Sequence, residues 1–269
     1  MEGVTLPDFL ASAAQAGFGY VTLSPAQYIE ARDSGWSGAD LHRALQEHHL
    51  QVSNIDPLFN WMPNTPQLEG DDPIAVCSRA SAADVFRIAH SVGTDLVNAP
   101  LGFATPESEQ QIVDGFGQLC VDAAAEGLRV SLEFMPFNQI PDLATANRIV
   151  AAANCNNGGI MFDCWHHQRS GGSIQEILQV PGERFFAVQL DDALPQPMAD
   201  VLEETLNHRC LPGAGCIDLA AMLGALLSTG AQFLCDVEVF DAGLRDLDAS
   251  TRAQRLYAAS AATLNSLGA

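Results

Sequence analysis

Four short apolar runs in this 269-residue chain stop on a side chain that can hold a cation through oxygen. They are Glu133 in "SLEFMP", Asp163 in "IMFDCWHH", Gln189 in "AVQLDD" and Glu238 in "DVEVF". The apolar flanks would carry each group into a buried space, where an uncompensated carboxylate is costly and three together repel one another. A shared divalent cation removes that conflict. An all-oxygen donor set favours Mn2+, with Mg2+ or Co2+ next, over a thiolate-seeking metal. Taken singly, each of the four reads most simply as a satisfied buried polar group. Together, at successive strand ends, they point to a metal.

Other groups gather near these four. His166 follows Asp163 by three places, and His167 behind it reads as a packing residue or a partly exposed neighbour. Arg169 and Arg209, two of only 12 basic residues, fall in segments expected above the same mouth. Each either holds an anionic or polar group of a substrate or makes an ordinary surface ion pair. Phe59, Trp61 and Trp165 wall a pocket or belong to the core, and Pro212, Gly213 and Gly215 shape a loop near Arg209.

The elements that must position these residues alternate along the chain. Short buried strands are expected in "FGYVTLSP", "LQVSNIDP", "TDLVNAP", "RVSLEFMP", "GGIMFDCW", "RFFAVQLDD" and "QFLCDVEVF". Between them lie segments of helical spacing, such as "PDFLASAAQAG", with Pro7 suited to a first turn and Gly17 to a stop. Strand and helix alternating at this interval build βα units on a parallel sheet. At this length the α/β reading is a single (β/α)8 TIM barrel over residues 1–269, with an open doubly wound sheet behind it. Only seven strands are visible, and "GVTL" is short for an eighth. Either it makes a stub, or the barrel is incomplete, or the natural start lies upstream of Met1.

Composition narrows the function classes. With 33 acidic residues against 12 basic ones, the net charge is −21, which repels a phosphodiester backbone and disfavours nucleic acid as a partner. The acidity itself reads as solubility. No apolar run is long enough for a membrane span, and the N-terminus shows no signal peptide. The seven cysteines are odd in number and without CxxC spacing, so a reducing cytoplasm is expected.

The strand-end pattern resembles the xylose isomerase-like TIM barrels, a family of sugar isomerases and epimerases, inosose dehydratase and 3-dehydroshikimate dehydratase. The resemblance runs from Leu6 almost to the end and rests on "LEFMP", "FDCWHHQRSG", "VQLDDA", "HRCLPGAGCIDL" and "VEVF". It implies Glu133, Asp163, Gln189 and Glu238 as metal ligands, with Gln189 where the family usually has His, a change favouring a hard cation. That Gln and the ending "EVFDAGLR" are similar to bacterial 3-dehydroshikimate dehydratases, whereas "DPLFNWMPN" lacks the Arg expected for the dehydroshikimate carboxylate. The family's Asp-x-x-His implies that His166 hydrogen-bonds a substrate oxygen.

The chemistry so implied starts from a small polyhydroxy carbonyl compound. Glu133 and Glu238 serve as acid and base around a metal-stabilised enediolate. Isomerisation or epimerisation of a keto-sugar or keto-polyol is the leading outcome, and loss of a β-hydroxyl, a dehydratase, stands close behind. An abasic-site endonuclease ranks lower, since the early strands lack its histidines, and a non-catalytic binding module would leave the four ligands a coincidence. A seven-stranded barrel would expose apolar edges at "FGYVTLSP" and "QFLCDVEVF", so a homodimer is expected.

Overall fold

The computed structural model describes residues 3–102 and 107–267. Seven parallel strands form one sheet in chain order: β1 (Tyr20–Leu23), β2 (Gln51–Ile55), β3 (Leu96–Pro100), β4 (Arg129–Glu133), β5 (Gly158–Asp163), β6 (Phe185–Leu190) and β7 (Leu234–Val237). The sheet curls until β7 lies beside β1, and helices cover its outside. This is the TIM barrel, with seven strands among the described residues. All seven expected strands are present, slightly shorter than their apolar runs. No helix among the described residues is long and apolar enough to cross a membrane.

Local chemistry sets the helix ends. Ser24, Ser37, Ser81, Ser108 and Ser173 each begin a capping box, in which the hydroxyl and the side chain three residues on satisfy one another's backbone N–H groups. Gly17, at φ 109°, stops the first helix, Leu6–Ala16, in the left-handed conformation that a Cβ disfavours. Thr5 caps the start of that helix, so residues 3–5 supply no eighth strand and the stub reading fails for them. Met1, Glu2 and Pro106, which edge expected segments, lie outside the described residues.

The pleat sorts side chains between two spaces. Val130, Leu132, Ile160, Phe162, Val188 and Leu190 join the core between sheet and helices. The alternate positions turn inward: Leu96, Met161 and Ala187 pack together inside the barrel. Two residues further along, Asp163 and Gln189 therefore face the C-terminal mouth, side by side in register on β5 and β6.

No backbone ladder joins β1 to β7 among the described residues. Side chains bridge the seam instead. Asp236 of β7 accepts hydrogen bonds from Ser53 Oγ at 2.9 Å and Asn54 Nδ2 at 2.7 Å, both on β2, and Thr22 of β1 lies 3.1 Å from each donor. β7 is correspondingly half-exposed, with Leu234 40% accessible, whereas β3 and β5 are wholly buried. A cavity of about 450 Å³ opens at the N-terminal mouth, between Tyr20, Asn54, Arg129, Phe186 and Leu234, on the opposite side from the clustered carboxylates.

Candidate active site at the C-terminal mouth

Asp163 is at once the last residue of β5 and the N-cap of the short helix Cys164–Arg169. Its Oδ1 accepts the backbone N–H of His166 at 2.6 Å, which leaves Oδ2 for the mouth of the barrel. One helical turn then carries the His166 imidazole back over the strand end. Its Nε2 lies 3.4 Å from Glu133 Oε1 and 3.8 Å from Asp163 Oδ2. Ligand atoms of Glu133, Asp163 and His166, all buried, fall within 4.8 Å of one another, close enough to share a metal ion.

Arg209 occupies the middle of this group. It is 3% exposed, so it is no surface pairing partner, and its loop buries the guanidinium within the mouth instead of holding it above. Its Nη1 donates to Asp163 Oδ2 at 2.8 Å, Asp191 Oδ2 at 2.7 Å and Glu238 Oε2 at 3.0 Å. Nη2 donates to Thr205 Oγ1 at 2.8 Å, and the guanidinium lies over the rings of Trp165 and Phe240, 5.2 Å from each centroid. Burial opposes its charge, yet the surrounding carboxylates keep its pKa above the ordinary value. Backbone pairing fixes the residue from both sides: Cys210 exchanges two hydrogen bonds with Asp192, and Arg209 N donates to Phe240 O.

One guanidinium cannot neutralise every carboxylate here. Burial raises Asp191 well above the usual carboxylate range, and Asp163 adds to it by repulsion. Asp56 rises in the same sense through burial, then Glu133 and Glu238. Glu238, with 27% of its side chain exposed, is pushed up to about 8 by desolvation; Arg209 works against the rise, and Glu133 and Asp163 add to it. A site that holds protons this tightly has room for another positive charge.

The donor chemistry fits a divalent cation. Gln189 Oε1 is buried with no hydrogen-bond partner, as is His166 Nδ1. Gln189 Nε2 is engaged, donating to Asp56 Oδ2 at 3.0 Å. An amide whose nitrogen is tied and whose oxygen is left bare beside Asp163 is a ready oxygen ligand.

The remaining candidates sort clearly. Arg169 is held by Glu204, with Nε 2.7 Å from Oε1, and by Leu194 O, and it lies 5.8 Å from the Trp165 ring centroid. Trp165 is fully buried beneath His166 and Arg209, while Trp61 is half-buried and donates to Pro100 O at 2.9 Å. His167 is a packing residue, 4.9 Å from the Phe162 ring with Nε2 on Ser173 O. Sequence reasoning missed Asp56, Asn98 and Asp191. The signal was present in "NIDP", "VNAP" and "QLDD", each a polar residue at the end of an apolar strand.

A family model described as xylose isomerase-like TIM barrel matches residues 10–267. The chain is 30% identical over 244 residues to the 3-dehydroshikimate dehydratase of Pseudomonas aeruginosa, covering 90% of this chain and 37% of that protein. It is 24% identical over 242 residues to the inosose isomerase of Bacillus velezensis, covering 89% and 85%. The chain thus spans little more than a third of the dehydratase it matches. The solved structure of the IOLI protein with a binding zinc atom superposes with a TM-score of 0.86 at 22% identity, over 99% of this chain and 95% of that one, a likeness of fold.

Proposed function

The chain belongs to the xylose isomerase-like TIM barrel family, and from that premise we propose that it is a divalent-metal-dependent isomerase or epimerase of a keto-sugar or keto-polyol. The observation that carries the reading is the convergence of Glu133, Asp163 and His166 at the C-terminal mouth, where TIM-barrel enzymes place their chemistry. Glu133, Asp163, Gln189 and Glu238 would hold the ion, with Mn2+ favoured by their oxygen donors, leaving His166 for a substrate oxygen. When bound, the cation polarises the substrate carbonyl as a Lewis acid.

The chain's own groups do the rest. Glu238, its pKa pushed up to about 8 by burial and its side chain partly open, exchanges a proton with the carbon next to the carbonyl. Glu133, whose Oε1 lies 3.4 Å from His166 Nε2, serves the other face, and the imidazole donates to a substrate oxygen. Arg209 forms the floor over the buried Trp165, and Arg169 and Trp61 complete the proposed substrate-binding set. The free thiols support a reducing, cytoplasmic setting.

A second reading is dehydration. The likeness to a 3-dehydroshikimate dehydratase over 90% of this chain favours it. Both readings share the first proton abstraction and part at the leaving group. Incubating the Mn2+-loaded protein in D2O with inososes, ketohexoses and 3-dehydroshikimate separates them by NMR. Deuterium at the carbon next to the carbonyl with water retained means isomerase or epimerase; water loss means dehydratase. A loaded protein that exchanges no such proton in any of them sinks both.

A further inference from the structure

Gln189 is an amide, and an amide has two ends that differ by a sign: Oε1 attracts a cation and Nε2 repels one. Something must decide which end faces the mouth. The decision is made by a carboxylate that the chemistry described above does not use. Asp56, 9% exposed, immediately follows β2. Its Oδ2 accepts Gln189 Nε2 at 3.0 Å and its Oδ1 accepts Asn98 Nδ2, also at 3.0 Å. With both oxygens of Asp56 accepting amide N–H groups, it is the Nε2 end of Gln189 that Asp56 holds.

Asn98 cannot turn over to offer a different arrangement. Its Nδ2 also donates to Glu133 Oε2 at 2.6 Å, and its Oδ1 accepts Ser131 Oγ at 2.9 Å. A flipped Asn98 would set an oxygen against two carboxylates. Each oxygen of Asp56 therefore receives one donor, and each donor reaches it from a strand that also carries or touches a metal-capable group. The bare Oε1 of Gln189 is the consequence.

Resting on the metal-site reading above, we propose that Asp56 is a positioning residue that fixes the Gln189 amide with Oε1 toward the ion and steadies Glu133 through Asn98. Outer partners of this kind commonly change metal affinity by about 10–100-fold when removed. Asp56→Asn has a single acceptor oxygen for two arriving donors, so one bond must be lost.

The test measures Mn2+ dissociation constants by the EPR signal of free Mn2+ on the full chain, with thermal unfolding as a check on folding. Asp56→Asn is expected to weaken Mn2+ by about 10–100-fold. Asp236→Asn, which removes a nearby carboxylate whose oxygens are held by Ser53 and Asn54 instead of by the Gln189 amide, should weaken it far less. Gln189→Glu sets two carboxylates face to face and should also bind poorly. Combining it with Asp56→Asn exchanges donor and acceptor and should restore affinity; the pair also tests the proposal should Asp56→Asn alone not fold. Wild-type affinity in Asp56→Asn, an equal loss in Asp236→Asn, or no recovery in the exchanged pair overturns the role of Asp56 while leaving the metal site standing. A wild-type chain that binds no Mn2+ overturns both.

Discussion

Arg209 brings one positive charge to a mouth where Asp163, Asp191 and Glu238 all share a single one of its nitrogens. Glu238 is the member of that trio open to a substrate. Replacing it by Gln keeps shape and volume but removes a charge and a proton carrier, so Glu238→Gln should fold normally and lose turnover by about 10²–10⁴-fold. Wild-type turnover with metal still bound would remove Glu238 from the mechanism. The same residue sets a pH dependence. Its folded pKa of about 8 lies above the carboxylate's ordinary 4.5, so between these values the folded state keeps a proton that the unfolded chain has released. Stability of the metal-free protein must then fall as pH rises through that window. In chelator, thermal unfolding at about pH 6 should come at a higher temperature than at about pH 8.5. Mn2+ should narrow the gap, because the ion displaces those protons.

The loop that delivers Arg209 is organised by one carboxylate. Asp192 Oδ1 accepts the N–H groups of Ala193 and Ile217, each at 2.8 Å, and Oδ2 accepts those of Gly213 at 3.1 Å and Gly215 at 2.9 Å. Gly213 has φ 80°, and a Cβ on Gly215 would run into Ala193 O and the Asp192 carboxylate. Gly215→Ala should therefore cost about 1–3 kcal/mol by calorimetry and weaken Mn2+ binding by displacing Arg209; an unchanged unfolding temperature would show that the loop yields. Little of this was legible in "QLDDA". Asp191 and Asp192 are adjacent in sequence, yet one faces the mouth and the other ties the loop, a division made only by the alternation of the strand. Asp56 was hidden differently, since a carboxylate before Pro57 reads as a turn. The strands themselves were legible because parallel strands buried on both faces read as unbroken apolar runs. Helix Pro25–Asp33 was not, being held by the Ser24 capping box over residues too polar to show a stripe.

At the scale of the molecule, the seam between β1 and β7 interrupts the run of paired strands among the described residues. Amides of Tyr20–Leu23 and Leu234–Val237 should exchange with solvent faster than those of β4 and β5, which are paired on both sides. Open edges flanked by the exposed Tyr20 and Leu234 also invite a second copy, so light scattering after size exclusion should show a homodimer. A monomer whose β1 amides are protected would place closure within the chain itself.

The first helix and the last, Ala249–Asn265, lie against one another beside this seam, with Phe18 edge-on to Tyr257 at 5.2 Å. Mechanically they form a clasp. A pull on the two ends of the chain loads that clasp before any strand, and beneath it the side chains around Asp236 bridge the seam in place of a backbone ladder. Optical tweezers attached at the ends should therefore open the protein at lower force than handles placed across β4 and β5, where the load must shear a backbone ladder. Equal forces in the two geometries would mean that the side-chain bridge holds as firmly as a paired strand.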